Sequence, residues 1–184
     1  VDDHRRHEAL RDLLEEHRAQ ALIVHIDSPG GTVVGGEALY RTLRAVASRK
    51  PVVVVMGQVA TSAGYMVALA GDQILAREGT ITGSIGVILQ TTEVTGLLGK
   101  LGIATEAIKS GPYKAVPSPL EPLTPAGRKI TQQLVDDIYR MFVEMVAERR
   151  AMTPTKAATL ADGRVFTGRV AVANGMIDAI GGET

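Results

Sequence analysis

Three properties of this chain predict an α/β fold built on a largely parallel sheet. Short apolar runs alternate with amphipathic stretches, the connections between them are brief, and 184 residues suffice for one domain with a real core. Residues 3–18 carry Leu10, Leu13 and Leu14 at helical spacing among Glu and Arg, which reads as an amphipathic helix. The apolar run at 21–26 reads as a buried strand and residues 34–48 as a helix. A valine-rich strand over 51–57 runs out through Gln58-Val59-Ala60-Thr61 into a helix of small residues over 62–70. Residues 74–76 and 85–89 are short, turn-bounded apolar segments expected as strands, and a helix at 92–100 and a strand at 104–109 continue the alternation.

Residues 111–123 break this pattern, because Gly111, Pro112, Pro117, Pro119 and Pro122 are incompatible with a continuous helix. Thr124 then caps a helix with Pro125 in its first position, and Ile130, Leu134, Ile138, Met141, Met145 and Val146 mark its apolar face to about residue 149. The methionines read as core filling. A shorter helix near 154–161 and the turn at Asp162-Gly163 lead to the last elements, closed by Gly175 and Gly181-Gly182. No repeat or linker interrupts the chain, so residues 1–184 are expected to form a single domain.

Composition narrows the function classes. Lys+Arg and Asp+Glu balance at 20 each, and there are only two Phe, four Tyr and no Trp. Neither an electrostatic footprint nor a stacking platform for nucleic acid is present. Cysteine is absent, which removes disulfides and thiolate chemistry. No apolar run approaches the ~20 residues needed to cross a bilayer, and the opening residues do not form a signal peptide.

Ser62 is the most informative residue. A hydroxyl between a buried strand and a helix start lies beside backbone N–H groups that no helical bond uses. Such groups can stabilise a developing oxyanion. The N–H of Ala63 lies next to it, and Ser28-Pro29-Gly30-Gly31 ends the preceding strand with a turn that can aim the Gly31 N–H at the same point. Alone, Ser62 reads as a helix cap and Ser-Pro-Gly-Gly as a plain turn; together, at strand ends of one sheet, they read as a site. A serine nucleophile needs a base. All four histidines, His4, His7, His17 and His25, precede Ser62, so a lysine is the expected base.

Five segments occur in order: His25-Ile26-Asp27-Ser28-Pro29-Gly30-Gly31, Thr61-Ser62-Ala63-Gly64-Tyr65, Thr82-Gly83-Ser84-Ile85-Gly86-Val87, Lys109-Ser110-Gly111-Pro112-Tyr113-Lys114 and Ala161-Asp162-Gly163-Arg164-Val165-Phe166-Thr167-Gly168. With them the chain resembles the signal peptide peptidase A family of bacterial serine peptidases over about residues 21–182. The resemblance implies a Clp/crotonase-like fold of repeated ββα units around a twisted, mostly parallel sheet. It implies Ser62 as nucleophile, Lys114 as general base, Ser84 as the serine that orients the lysine amine, and Gly31 and Ala63 as oxyanion-hole amides. The family usually has glycine where this chain has Ala63; the backbone N–H is unaffected. A lysine base must be uncharged, and burial is the usual means of bringing its pKa to roughly 7–8. Lys114 suits that role better than Lys109, at a strand end, or Lys100, on a surface helix.

The resemblance further implies peptide substrates, chiefly remnant signal peptides, and no metal or cofactor. It implies a ring-like homo-oligomer, octameric in its relatives, whose serine and lysine meet across neighbouring subunits. It also implies attachment to the bacterial inner membrane, with the catalytic domain on the outer side. Family members begin with a further strand and a membrane anchor, so the chain is expected to be a catalytic fragment without them. Rival readings are a Clp-like peptidase, which needs a histidine after the serine, a crotonase-type acyl-CoA enzyme, which lacks a carboxylate pair here, a phage-type head-maturation peptidase, and a catalytically silent ring scaffold. His25 and Asp27 share a strand face and could in principle supply a rearranged triad.

Overall fold

The computed structural model describes residues 8–10, 12, 16 and 19–182. The chain divides into two compact units, residues Val1–Gly86 with Phe142–Thr184, and residues Val87–Met141. The helix expected over 3–18 falls largely outside the described residues; residues 8–10 and 12 are helical.

The first unit opens with β1 (Leu22–Ser28), α1 (Val33–Ala47), β2 (Val52–Thr61), α2 (Ala63–Ala68), β3 (Gln73–Ala76) and β4 (Ile81–Gly83). In the other unit lie α3 (Thr95–Lys100) and the start of α4 (Pro125–Arg149). The chain closes with α5 (Pro154–Leu160), β5 (Val165–Thr167), α6 (Gly168–Asn174) and β6 (Ala179–Ile180).

β2 organises the sheet. Its N-terminal half pairs in parallel with β1, from Leu22↔Val52 to Ile26↔Met56, and with β3, from Val53↔Gln73 to Met56↔Ala76. Its C-terminal end pairs in parallel with β4, from Val59↔Ile81 to Thr61↔Gly83. β6 extends β3 in parallel, and among the described strands only β5, against β4, runs antiparallel. The two-residue period puts Val52, Val54 and Met56 on the core face with Ile74 and Ala76, and all five are essentially inaccessible to water. Leu43 and Val46 of α1, Tyr65 and Met66 of α2, and Phe142 and Val146 of α4 complete this core. Burial of each large side chain contributes roughly 1.5–3 kcal/mol.

Buried polar groups are answered. The Tyr65 hydroxyl donates to the Met176 carbonyl at 2.8 Å, and burial pushes its phenol far above the usual value. Arg149 donates to the carbonyls of Leu69 at 2.8 Å and Gly71 at 3.0 Å, placing a cation beyond the C-terminus of α2. Asp178 accepts from Arg150 and from the Ile74 N–H at 2.7 Å. Burial works against its charge, yet these hydrogen bonds outweigh it and hold the carboxyl below its ordinary value.

Two expected strands do not form. The one expected over 85–89 is replaced by β4, because Gly83 and Ser84 both take positive φ, +89° and +51°, and turn the chain out of the ladder with β2. Residues 103–109, covering the strand expected at 104–109, have no ladder partner among the described residues, and Ile108 is 97% exposed. Apolar content alone cannot make a strand, because the backbone must find a pairing edge.

The unit Val87–Met141 is held chiefly by polar ties. Val94 N–H donates to Pro119 O at 3.0 Å, the Thr105 hydroxyl to Leu120 O at 3.1 Å, and Lys109 pairs with Glu121. Among its described residues only Gly127 is fully buried, while Ile88, Leu97, Leu101, Ile108 and Leu134 are all more than half exposed. Among the described residues no helix is long and apolar enough to cross a membrane.

Candidate active site

β2 carries Ser62 to the edge of the core and α2 begins at the next residue. The serine occupies φ 53°, ψ −122°, a conformation that a non-glycine residue adopts only under constraint, at a cost of about 1–3 kcal/mol. Its side chain makes no capping hydrogen bond, so the helix-cap reading does not hold. The corner is fixed on both sides: Ser62 N–H donates to Gly83 O at 2.9 Å, and Met66 N–H donates to Ser62 O at 2.9 Å. A strained strand-to-helix turn of this kind projects a hydroxyl from the sheet with the next N–H beside it.

The Ser-Pro-Gly-Gly turn closes on this corner. The Thr61 hydroxyl donates to Pro29 O at 2.9 Å, tying the ends of β1 and β2 together. Gly30, at φ +122°, lies so close to Ser62 that a Cβ there would fall 2.9 Å from Ser62 Cβ and 3.4 Å from Oγ. No other residue type fits both the angle and the space. Ser28 Oγ accepts from Gly30 N–H at 3.2 Å and holds the turn from within. Among the described residues neither the Gly31 nor the Ala63 N–H has an acceptor. Two unclaimed donors therefore belong to the residue after the strained serine and to the residue after the glycine pressed against it. A groove of about 680 Å³, bordered by Gly31, Ala63 and Gly64 and by apolar Val24, Leu39 and Val67, opens beside them.

Ser84 joins the same corner. Thr61 and Gly83 are register partners at the ends of β2 and β4, so the residues that follow them, Ser62 and Ser84, leave neighbouring strands side by side. Both have positive φ. Adjacent strands are about 5 Å apart, within reach of a common third group.

Lys114 belongs to the other unit. It sits in two overlapping turns, with its N–H donating to Gly111 O at 3.2 Å and Val116 N–H donating to Tyr113 O at 3.2 Å, and is followed by Ala115 at φ +67°. The burial expected for a lysine base is absent in the single chain, where Lys114 is exposed. Lys109, the lysine nearest to it in sequence, pairs with Glu121.

His25 does not reach Ser62. It is opposite Val55, seven residues before the serine along β2, on the order of 20 Å away at the strand rise. His25 and Asp27 lie over Gly57 instead, and Asp27 Oδ1 accepts the Val59 N–H at 3.1 Å where the β1–β2 register shifts. A His25→Ala variant is expected to retain wild-type turnover within about twofold, read as kcat/KM on an apolar peptide ester. A loss of several hundredfold would restore the rearranged triad.

Sequence reasoning passed over Thr61, Gly83 and Phe166 as parts of this corner. Their only signal was membership in the ordered segments; their contacts depend on which strands pair.

The profile of Peptidase family S49 matches residues 44–184, and that of Clp protease matches residues 4–81. A candidate protease of Synechocystis sp. is 43% identical over 170 residues, 92% of this chain and 61% of that protein. Serine protease SPPA, chloroplastic, of Arabidopsis thaliana is 36% identical over 176 residues, 95% of this chain and 26% of that protein. Protease 4 of Salmonella typhi is 33% identical over 173 residues, 94% of this chain and 28% of that protein. The chain thus spans less than two thirds of the length of these curated relatives. With its mostly parallel sheet, the Clp protease match makes the fold Clp/crotonase-like. The profile match over residues 44–184 establishes that the chain belongs to Peptidase family S49.

Proposed function

We propose that this chain is the catalytic part of a serine endopeptidase working through Ser62 and Lys114 on membrane-derived peptides, chiefly remnant signal peptides. The observation that carries this reading is the strained Ser62 corner with two unclaimed amides beside it. Lys114 takes the Ser62 proton as Oγ attacks the scissile carbonyl, and the Gly31 and Ala63 N–H groups receive the oxyanion. The protonated lysine passes its proton to the leaving amine. The same amine then activates water to release the acyl group, while Ser84 orients the lysine. No metal or cofactor enters this scheme.

The exposure of Lys114 and the nearly coreless unit around it support a second element of the proposal, that the working form is a ring-like homo-oligomer, an octamer in this reading. A neighbouring copy would cover the exposed apolar residues, desolvate the amine and bring it to Ser62. The apolar groove beside the amides suits side chains of signal-peptide character. A membrane anchor outside this chain would place the domain on the outer face of the inner membrane, where such peptides arise.

The direct test is labelling with a fluorophosphonate probe, mapped by mass spectrometry. The adduct is expected on Ser62 in the wild type and nowhere in Ser62→Ala. Stoichiometric labelling at another serine would refute the assignment.

A further inference from the structure

The last of the ordered segments, residues 161–168, has no part in the chemistry above, yet it packs directly against it. β5 runs antiparallel to β4 in the register Gly83↔Val165, Thr82↔Phe166 and Ile81↔Thr167. The pairing continues past the strand end, where Ser84 N–H donates to Arg164 O at 2.8 Å and Gly163 N–H donates to Ile85 O at 3.1 Å. Ser84 is thus gripped on its own N–H and through its neighbour at the point where φ turns to +51°.

Phe166 supplies the second contact. Gly83 has φ +89°, and a Cβ there would lie 2.7 Å from Phe166 Cδ2 and 3.1 Å from Arg164 O. The ring fills the space that a side chain at 83 would occupy. Gly83 is also the residue whose carbonyl accepts the Ser62 N–H at 2.9 Å, so one peptide connects the ring, Ser84 and Ser62. Phe166 is only half-buried and lies outside the fully buried core. The ring edge faces this turn, with Cδ2 and Cε2 2.7 and 3.3 Å from where a Cβ at Gly83 would lie. A non-glycine residue persists in the left-handed region only where its surroundings over-determine it. Thr82 assists from below, its hydroxyl donating to Ala60 O at 2.7 Å and keeping β4 in register with β2.

We propose that Phe166, with the backbone of Arg164, is a clamp that holds Ser84 in its left-handed conformation, making Phe166 a positioning residue for the reaction. The proposal rests on the reading that Ser84 orients the lysine. In this scheme Phe166 acts through Gly83 and Ser84 and is assigned no contact of its own with the reacting atoms. Without the ring, Gly83 is free to rotate, Ser84 relaxes toward negative φ, and its hydroxyl leaves the lysine amine.

The test compares wild type, Phe166→Ala, Phe166→Leu, Ser84→Ala and the Phe166→Ala/Ser84→Ala double variant, each checked for folding by thermal melt. Phe166→Ala is expected to lower kcat about tenfold with little change in KM and to move the acid limb of the kcat/KM profile, where the lysine base titrates, as Ser84→Ala does. Phe166→Leu, which refills the space, should recover most of the loss and keeps the test interpretable if the alanine variant folds poorly. The double variant should be no worse than Ser84→Ala alone, because both changes remove one interaction. Amide exchange at Ser84 should quicken in Phe166→Ala. Wild-type kcat in Phe166→Ala, or losses that multiply in the double variant, would overturn the clamp. Full activity in Ser84→Ala would instead overturn the role of Ser84, and quickened Ser84 exchange in Phe166→Ala would mark that failure as distinct.

Discussion

Replacing Ser62 by glycine is expected to abolish turnover and stabilise the fold at the same time. Loss of the nucleophile should lower kcat/KM by on the order of 10⁴–10⁶-fold, the scale seen when a serine acting as part of a catalytic unit is removed. Ser62→Ala should lose as much, yet leave the melting temperature nearly unchanged, because alanine meets the same steric conflict at φ 53°. Glycine adopts this angle without strain. Relief of about 1–3 kcal/mol is partly offset by the greater freedom of glycine in the unfolded chain. A net gain near 1 kcal/mol corresponds to roughly 2–4 °C for a chain of this size. The informative quantity is the difference in melting temperature between Ser62→Gly and Ser62→Ala. Equal values would mean that the corner stores no strain and that its geometry is not held against a cost.

Lys114→Ala should match Ser62→Ala in lost turnover while leaving the fold of the single chain intact, since Lys114 is exposed and makes no hydrogen bond through its amine among the described residues. Lys109→Ala serves as the control. It breaks the ion pair with Glu121 and should cost activity far less. A mixing experiment carries the larger consequence. If serine and lysine meet across neighbouring copies, equal amounts of Ser62→Ala and Lys114→Ala subunits, exchanged in one assembly, should regain about a quarter of wild-type activity, the share of interfaces that pair two intact residues. No recovery after demonstrated subunit exchange would place both residues of each site in one chain.

Much of the fold was legible because it rests on local pattern. The valine run of β2, the Thr124-Pro125 start of α4 and the small-residue helix after Ser62 all declare themselves through period, caps and turn chemistry. Residues 85–89 and 104–109 were misread because a strand is defined by its neighbour. Ile85 is buried without a ladder, and Ile108 is apolar with no ladder partner among the described residues. β5 and β6 were hard to foresee for the same reason, being three and two residues long and existing only through their pairing with β4 and β3.

The candidate site divides in the same way. Residue types and order in the sequence were enough to single out Ser62, its flanking Ala63, the Gly30-Gly31 turn and the absence of any later histidine, and to expect that the base is a lysine. Only the tertiary structure decided that Ser62 is held at a positive φ, that Gly30 is pressed against it, that Ser84 leaves the adjacent strand beside it, and that His25 is far along the sheet. The physical reason is that chemistry-bearing residue types are local information, whereas strain and proximity arise from the pairing of strands distant in sequence. Phe166 lies 83 positions from Gly83, and nothing in either segment alone says that one fills the space the other leaves open.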